Sequence, residues 1–437
     1  MSAVAMDRAA AARGTVAPPA VSRGVVAATV VGNALEFYDF VTYSFFAVYI
    51  GHAFFPAKTP FISLLLSVAV FGVGFFTRPL GGVLIGAFAD RAGRKPAMLL
   101  TIGLITVGTL GLALTPSYES IGVAAPVIVV LARLVQGLAL GGEVGPSTAF
   151  LVEIAPPGKR GFYSSWQLAS QGASALAAGI IGVVLSAMLD KAQLQAWGWR
   201  VPFALGLVLL PVAVYLRRKM PETLEHGAGQ GGGSEVSQLA IFRRHAGLIV
   251  LLLLIVIGGT VSTYVGQYMT TYAITVLKMS ATVSMVATVT FGVATFVFSL
   301  LGGWAADRWG RRPVMLVPRV LIMLLVYPGF LWLTHQPTVA TLVILTLLLA
   351  ALTGLSGAAG MPVMAELFPP QVRALGGSVV YAIGVTLFGG TTQFVITWLI
   401  GTTGNPLSPA WYVMATSVLT VIAIILLPET KSMELER

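Results

Sequence analysis

Long, almost uncharged apolar runs dominate the sequence, and they limit what the chain can fold into more than any other feature. Crossing the hydrocarbon core of a bilayer takes about 20 apolar residues as a helix, or about 9–11 as a strand. The runs here are long and do not alternate between apolar and polar residues, so they predict helices rather than a β-barrel. We predict an all-α polytopic membrane protein with twelve transmembrane helices, at residues 25–50, 61–88, 97–114, 121–149, 163–188, 199–217, 246–274, 282–306, 314–333, 338–362, 375–400 and 409–427.

The composition leads to the same class. Of the 437 residues, 57% are hydrophobic and 10% are charged, whereas soluble domains carry about 25% charged residues. So few charges cannot cover a surface that faces water, which excludes soluble enzymes and nucleic-acid-binding proteins. The chain has no cysteine, its histidines are isolated and no nucleophile motif occurs, so we expect no metal, no cofactor, no catalytic residues and no enzyme activity.

The basic residues predict the orientation in the membrane. If the N-terminus lies inside, 19 of the 26 Lys and Arg residues fall on cytoplasmic tails and loops and 4 fall outside. This excess predicts cytoplasmic N- and C-termini in the cell inner membrane. Residues 1–24 precede the first span without a separate apolar segment, so we interpret them as a cytoplasmic tail and not as a cleaved signal.

Three motifs of the first half return in the same order in the second half. Residues 86–96 resemble 303–313, residues 153–160 resemble 366–373, and 221–223 return as Pro428-Glu429-Thr430. Each copy follows the corresponding span of its half, which predicts a duplicated six-helix unit, as in alternating-access carriers. We therefore expect two pseudo-symmetric six-helix bundles (25–217 and 246–427), joined by a glycine-rich cytoplasmic linker (218–245) and followed by a cytoplasmic tail (428–437).

These repeated motifs also carry a family resemblance. The loop Gly86-x-x-x-Asp90-Arg91-x-Gly93-Arg94 resembles the signature of the major facilitator superfamily. Within it, the chain resembles the metabolite:proton symporter family in Gly-Asn-Ala-Leu-Glu-Phe-Tyr-Asp-Phe (32–40), Phe-Thr-Arg-Pro-Leu-Gly (76–81), Arg-Leu-Val-Gln-Gly (133–137) and Gly-Phe-Tyr-Ser-Ser-Trp-Gln (161–167). The last stretch, with Phe388-Gly389-Gly390, is most similar to its citrate and tricarballylate carriers.

Six ionisable residues lie inside the predicted spans: Glu36, Asp39, Arg78, Arg133, Glu143 and Arg319. Buried charges cost a few kcal/mol or more, so they are functional candidates. The rise of about 1.5 Å per helical residue places Asp39 level with Arg133, and Glu36 level with Arg78. An arginine favours a charged carboxylate, and its withdrawal lets the carboxylate take a proton. We therefore predict Asp39, Glu36 and Arg133 as proton-coupling residues, the alternative being permanent ion pairs that fix helix packing.

Arg319 has two possible placements. Near a helix end it can extend to the lipid headgroups, or it can turn inward. If it turns inward, Arg319, Arg133 and Arg78 would suit a substrate with two or three carboxylates, which arginine binds through paired hydrogen bonds. The further candidate substrate-binding residues are polar and lie in several spans, where the alternative is hydrogen bonding between helices: Asn33, Gln136, Gln167, Gln171, Tyr264, Tyr268, Tyr381 and Gln393.

The repeated loops pair acids with bases. The resemblance implies a cytoplasmic gate whose ion pairs hold an outward-open state, formed by Asp90, Arg91, Arg94, Glu153, Arg160, Asp307, Arg308, Arg311, Glu366 and Arg373. We expect four pairs within the repeats: Asp90 with Arg94, Glu153 with Arg160, Asp307 with Arg311 and Glu366 with Arg373. Surface pairs contribute only about 0–1 kcal/mol each, so these would act as a network.

The resemblance as a whole implies a proton-coupled symporter that imports citrate or a related tricarboxylate by alternating access. We expect a monomer whose partners are the carboxylate, protons and the lipid bilayer. Two alternatives stay open at this point: a symporter for another metabolite (a dicarboxylate, an aromatic acid or a zwitterionic osmolyte) and a drug:proton antiporter. The arginines inside the spans argue against cationic cargo.

Overall fold

The computed structural model describes residues 23–92, 94–141, 148, 151–152, 154–219, 246–368 and 373–433, and these are almost entirely helical. The first half contains α1 (Arg23–Phe45), α2 (Ala47–Phe54), α3 (Pro60–Phe76), α4 (Arg78–Ala92), α5 (Arg94–Leu114), α6 (Tyr118–Ile121), α7 (Ala124–Gly141), α8 (Arg160–Met188), α9 (Lys191–Ala196), a 3-10 turn (Gly198–Arg200) and α10 (Val201–Lys219). The second half contains α11 (Ala246–Thr275), α12 (Ala281–Trp309), α13 (Arg311–His335), α14 (Val339–Leu367), α15 (Arg373–Gly384), a π-helical turn (Val385–Gly389), α16 (Gly390–Thr403) and α17 (Ser408–Leu426).

Within the described residues, each of the twelve predicted spans overlaps one of these helices or a short run of them. Nine helical segments among the described residues are long and apolar enough to cross a membrane, and Leu99–Leu114 in α5 is a shorter apolar stretch. Exposed tryptophans lie near both ends of the helices, where aromatic rings favour the membrane interface: Trp304 and Trp309 at one end, and Trp197, Trp332 and Trp411 at the other. The prediction of an all-α polytopic membrane protein is confirmed.

Several predicted spans are interrupted, which the apolar pattern did not indicate. The second span breaks at Thr77, because Pro79 has no N–H and its ring crowds the carbonyl of Phe75 four residues earlier. The eleventh span contains the π-helical turn, a feature that often marks functional sites. Thr386 in that turn donates its hydroxyl to the Phe75 carbonyl (3.0 Å), so the carbonyl to which Pro79 cannot donate is bound by the other half of the chain.

The two halves pack closely along α8 and α12, and glycine makes this approach possible. A Cβ added at Gly292 on α12 would lie 2.3 Å from the backbone nitrogen of Leu176 on α8. A Cβ at Gly172 on α8 would lie 2.5 Å from the backbone nitrogen of Phe296. Such small residues let helix backbones meet in a bilayer, where no hydrophobic effect drives them together.

We predict that Gly292→Ala lowers the melting temperature of the detergent-purified protein, because the added methyl group meets backbone and not a mobile side chain. Overpacking of this kind costs about 1–3 kcal/mol. Gly103→Ala on α5 is the matched control, since nothing lies within 4 Å of a Cβ there. Equal melting temperatures for the two variants would contradict the close packing of α8 against α12.

Candidate functional site

Asp39 is held by α1 against α5 and α10 near the centre of the first half, and 3% of its surface is exposed. The hydroxyl of Thr109 on α5 donates a hydrogen bond to Asp39 Oδ2. The other oxygen, Oδ1, is buried and has no hydrogen-bond partner among the described residues. Gly206 on α10 faces that oxygen, and a Cβ there would lie 2.3 Å from it. One carboxylate oxygen therefore has a donor, and the other lies against bare backbone.

Arg133 on α7 reaches Asp39 only through two other side chains. Its Nη1 donates to Gln136 Oε1 (2.9 Å), and Gln136 Nε2 donates to the Thr109 hydroxyl (3.1 Å). No ion pair within 4.0 Å joins Arg133 to Asp39, both of which the structure describes. The sequence placed the two charges level with each other, but the contact between them is a chain of hydrogen bonds and not a direct pair. Thr109 was not predicted, since a threonine in an apolar span gives no signal of its own.

Aromatic rings surround the two arginines of the first half. The Arg133 guanidinium carbon lies 4.5 Å from the ring centre of Tyr43 and 5.0 Å from that of Phe40. That of Arg78 lies 4.0 Å from Phe75 and 4.6 Å from the same Phe40. Cation–π contacts of this kind are worth about 2 kcal/mol or more when they are desolvated. The rings stabilise two buried cations side by side, a role that the sequence analysis missed although Phe40 lies within one of its motifs.

Several predicted polar residues connect helices and lie apart from the main cavity. Asn33 on α1 and Gln167 on α8 hydrogen-bond to each other (3.0 Å), and Asn33 also donates to Ser170 (2.5 Å). Gln393 on α16 donates to Ser44 on α1, which links the two halves. Tyr268 accepts a hydrogen bond from Thr397 (2.8 Å). Glu36 is buried on α1 three residues before Asp39.

A cavity lies mainly within the second half, between α8 and helices α11 to α15. Its empty space, including the open mouth, measures about 980 Å³. Four predicted residues line it: Gln171, Tyr264, Arg319 and Tyr381. The lining is mostly apolar with a small number of polar groups, as in small-molecule binding sites generally. Within the described part of the chain, no group of three or more acidic or histidine residues could hold a metal ion.

Arg319 turns into this cavity and does not extend to the headgroups. Only 1% of its surface is exposed, and Nη1 donates to the Gly258 carbonyl (2.9 Å) and to Ser262 Oγ (2.8 Å) on α11. Its Nε is buried without a partner, and no carboxylate of the described residues lies within ion-pair distance. The guanidinium is therefore a buried cation held by neutral oxygens.

The cavity also contains polar atoms that the sequence analysis did not select. Gln267 Oε1, Ser299 Oγ and Thr353 Oγ1 are buried, have no hydrogen-bond partner among the described residues and belong to side chains that line the cavity. Gln171 of the first half also lines the cavity, and its Nε2 is buried without a hydrogen-bond partner among the described residues. Buried polar atoms without partners cost about 1–3 kcal/mol each. The cavity thus brings together several polar atoms that could bind to a polar molecule.

A second polar cluster joins the halves at the helix ends near Trp304, which we call the gate face; it contains Arg160, Asp307, Arg311 and Glu366. Arg311 pairs with Asp307 (2.8 Å), as the sequence predicted. It also pairs with Glu366 (3.1 Å), which in turn lies 3.9 Å from Arg160 of the first half. Asp307 also accepts the first backbone N–H groups of α8, from Gly161 and Phe162 (2.8 Å each). The side chains of Asp90, Arg91, Arg94, Glu153 and Arg373 lie outside the described residues.

The segment after α17 closes this cluster, although its repeated Pro-Glu-Thr motif had no predicted role. Glu429 accepts the backbone N–H groups of Arg311 (2.8 Å) and Arg312 (3.0 Å) at the start of α13. Thr430 donates to Glu366 (2.6 Å), and Arg160 donates to the Met433 carbonyl (3.1 Å). Arg308, a predicted gate residue, accepts a bond from Lys431 with its carbonyl (2.7 Å) and lies over the ring of Trp304 (5.8 Å).

We predict that Glu429 stabilises this arrangement at neutral pH and loses the effect only in strong acid. Partial burial raises the pKa of Glu429, but the backbone N–H donors of Arg311, Lys431, Arg312 and Thr430 outweigh it, and the pKa is lowered. A lowered pKa gives a stabilisation that is complete above the ordinary glutamate pKa and is lost as the pH falls through the lowered value.

Thermal unfolding of the wild type and of Glu429→Gln between pH 7 and pH 3 measures this effect. The wild type should melt higher by a constant margin from neutral pH to below about pH 5, and the margin should then vanish in more acid solution. A margin that already vanishes near pH 6 would contradict the assignment.

Comparisons with known proteins agree with this architecture. The profile of the family described as "Sugar (and other) transporter" matches residues 25–235 and 219–437. A citrate-proton symporter of Salmonella typhi is 36% identical over 94% of this chain and 95% of its own. An alpha-ketoglutarate permease of Escherichia coli is 37% identical over 91% of both chains. A proline/betaine transporter of Escherichia coli is 31% identical over 95% of this chain and 85% of its own.

The fold is similar to that of a solved transporter at low sequence identity. The xylose transporter XylE from E. coli, in a partially occluded inward-open conformation, superposes with a TM-score of 0.77. The match covers 94% of this chain and 99% of the other at 18% identity. This likeness applies to the arrangement of the helices.

Proposed function

The chain belongs to the sugar (and other) transporter family of the major facilitator superfamily, and we propose that it is a proton-coupled symporter that imports citrate or a related tricarboxylate across the cell inner membrane. In this proposal both termini are cytoplasmic, and bundles 25–217 and 246–427 rock about a central site. The cation in the cavity is the observation that carries the proposal. Arg319 is buried and lacks a carboxylate partner among the described residues, so an anionic substrate would supply the missing charge.

The groups near Arg319 favour a substrate that carries more than one carboxylate. Tyr264 and Tyr381 line the cavity, and Arg78 of the first half interacts with both. A positive charge from each half thus lies at or behind the cavity wall, and Arg133 lies beside Arg78 across the ring of Phe40. Arginine binds carboxylates with two parallel hydrogen bonds. Gln171, Gln267, Ser299 and Thr353 would hydrogen-bond to the remaining oxygens of the substrate.

We place the proton on Asp39. Its oxygen Oδ2 lies against the Thr109 hydroxyl, which can donate to the ionised carboxylate and can accept from the protonated acid, so a proton on Oδ2 keeps a hydrogen-bond partner. Asp39 belongs to the first half, whereas Arg319 and most of the cavity belong to the second. Transport would couple the two through movement of the halves, since a ligand or proton shifts an equilibrium only by its differential affinity for the two states. The gate face, with Arg160 bound to Glu366, is where we propose that the halves separate on the cytoplasmic side.

A zwitterionic osmolyte is the alternative substrate, because osmolyte transporters are among the relatives. Quaternary ammonium groups are bound by clusters of aromatic rings. The described aromatic cluster around Phe40, Phe71 and Phe75 already surrounds the guanidinium groups of Arg78 and Arg133. A second cation there would be repelled, which favours an anion over an osmolyte and also over a cationic drug.

The central prediction is that purified protein in liposomes accumulates labelled citrate when the outside is more acidic than the inside. Asp39→Asn should abolish this accumulation and keep citrate exchange, because asparagine still accepts the Thr109 hydrogen bond but cannot bind or release a proton. Glu119→Gln, in an exposed acidic residue of α6, is the control and should behave as wild type. Citrate uptake that ignores the pH gradient would refute proton coupling, and preferential uptake of proline or betaine would refute the carboxylate assignment.

A further prediction concerns Arg319. Arg319→Gln should raise the KM for citrate about tenfold to a hundredfold, because hydrogen bonds to charged groups contribute about 1.5–3 kcal/mol. The KM of Arg319→Lys should lie between those of the wild type and Arg319→Gln, since lysine keeps the positive charge but cannot form two parallel hydrogen bonds to one carboxylate. Arg200→Gln is the control, because Arg200 is a partly buried arginine bound to carbonyls away from the cavity. A wild-type KM for Arg319→Gln would remove the arginine from the substrate site.

A further inference from the structure

The hydroxyl of Thr109 has one proton and two acceptors that compete for it. Its oxygen lies within hydrogen-bond distance of Asp39 Oδ2 and of the Ile105 carbonyl (2.9 Å) on its own helix. The same oxygen also lies 3.1 Å from Gln136 Nε2. A hydroxyl donates one hydrogen bond and accepts up to two. Thr109 therefore cannot donate fully to both Asp39 and Ile105 at one time.

Arg133 fixes the direction of the remaining contact. A guanidinium group only donates, so the atom of Gln136 that faces Arg133 is its carbonyl oxygen. The amide nitrogen of Gln136 then faces Thr109 and can only donate to it. As a result the cation orients the amide, the amide occupies one lone pair of the hydroxyl, and the hydroxyl proton can go only to Asp39 or to Ile105.

We propose that Thr109 is a two-position hydroxyl switch that reports the charge of Asp39 to Arg133. When Asp39 is ionised, Thr109 donates to Oδ2, and every bond from Arg133 to the carboxylate runs in the same direction. When Asp39 carries a proton on Oδ2, the acid donates to Thr109, and Thr109 turns its own proton to the Ile105 carbonyl. The Thr109 O–H bond is never broken, and the only proton that is gained or lost belongs to Asp39.

The groups around Asp39 make Thr109 the residue that can respond to its charge. The charged and titratable groups near the carboxylate include Arg133 on α7, the buried Glu36 one turn earlier on α1, and Tyr38 beside it, whose hydroxyl donates to the Pro202 carbonyl (3.0 Å). From α10, the backbone of Gly206 faces the carboxylate oxygen Oδ1. Among the described residues, Thr109 is thus the one side chain that donates a hydrogen bond to Asp39.

The switch would change how firmly three helices are tied together. With Asp39 ionised, α1, α5 and α7 are joined by one series of bonds from a cation to an anion, and bonds to charged groups are about twice as strong as neutral ones. With Asp39 neutral, the series is reversed at Thr109, and the charge-assisted link between α1 and α5 is lost. Thr109 is a positioning residue in this mechanism, because it contacts the proton site and not the substrate. The inference rests on the proposed role of Asp39 in proton coupling.

Thr109→Val tests the switch, because valine keeps the shape of threonine and removes the hydroxyl. In liposomes, we expect the variant to lose citrate accumulation driven by a pH gradient and to retain citrate exchange, with an exchange rate that no longer varies with pH as in the wild type. Thr109→Ser should restore accumulation. Thr106→Val is the matched control on the same helix, since the Thr106 hydroxyl also binds a carbonyl one turn back (Ile102, 2.7 Å) but does not contact Asp39.

A spectroscopic readout separates the switch from a general loss of packing. Infrared difference spectra of the purified protein between acid and neutral pH should show a carboxylic C=O band that is absent in Asp39→Asn. That band should shift in Thr109→Val, because the acid then has no hydroxyl to donate to, and it should not shift in Thr106→Val. Thr109→Ala serves as a second variant without the hydroxyl if the valine variant does not fold.

The outcomes distinguish this inference from the proposed function. If the wild type itself shows no citrate uptake driven by the pH gradient, the proposed function is wrong. If the wild type shows it and Thr109→Val accumulates citrate equally well, the switch is wrong while the function stands. Loss of coupling in Thr109→Ser or in Thr106→Val, or an unshifted C=O band in Thr109→Val, would also overturn the switch.

Discussion

The cost of placing arginine inside a bilayer is the constraint on which the rest of the structure depends. Three guanidinium groups lie buried in the membrane-spanning region, and each is stabilised in a way that leaves its charge in place. Arg78 and Arg133 lie against aromatic rings, and Arg319 lies against a backbone carbonyl and a serine hydroxyl. A carboxylate in direct contact would neutralise each of them, and the described structure provides none within 4.0 Å. The three guanidinium groups thus keep their positive charge in the interior of the protein, where it would attract an anion.

The two halves of the chain use this charge differently. The first half connects Arg133 to Asp39 through Gln136 and Thr109, so its cation is coupled to a group that can carry a proton. The second half leaves Arg319 in a cavity lined by polar atoms without partners. In the proposed mechanism, the first half therefore carries the proton and the second half binds the anion. The hydrogen bond from Thr386 to Phe75 and the packing of Gly292 against α8 are contacts through which one half can respond to the other.

Sequence reasoning found the charges and missed most of their partners. Twelve spans and the six ionisable residues follow from hydropathy alone, because a charge in an apolar run is conspicuous. Thr109 and Ser299 are not conspicuous in the sequence, since hydroxyl side chains are common in membrane helices and usually hydrogen-bond to the backbone of their own helix. The sequence does not show whether the Arg319 side chain points inward, because its position eight residues after Arg311 does not determine which face of the helix it occupies. Likewise Pro79 predicts a free carbonyl at Phe75, but which side chain binds that carbonyl depends on the packing of the two halves.

The gate face shows how a repeated motif can yield a contact between the repeats. The sequence pairs each acid with a base of its own half, and Asp307 with Arg311 follows that expectation. Glu366 lies between Arg311 and Arg160, so one carboxylate is shared by cations of both halves. Asp307 also accepts the first N–H groups of α8, where the helix dipole favours a negative charge. The contacts of Glu366 with Arg160, and of Asp307 with these first N–H groups of α8, cross from one half to the other, so they hold only while the halves are together at the gate face. The pairs of Arg311 with Asp307 and with Glu366 lie within the second half and are largely buried, so they do not depend on contact with the first half, and they hold both carboxylates where the crossing contacts need them.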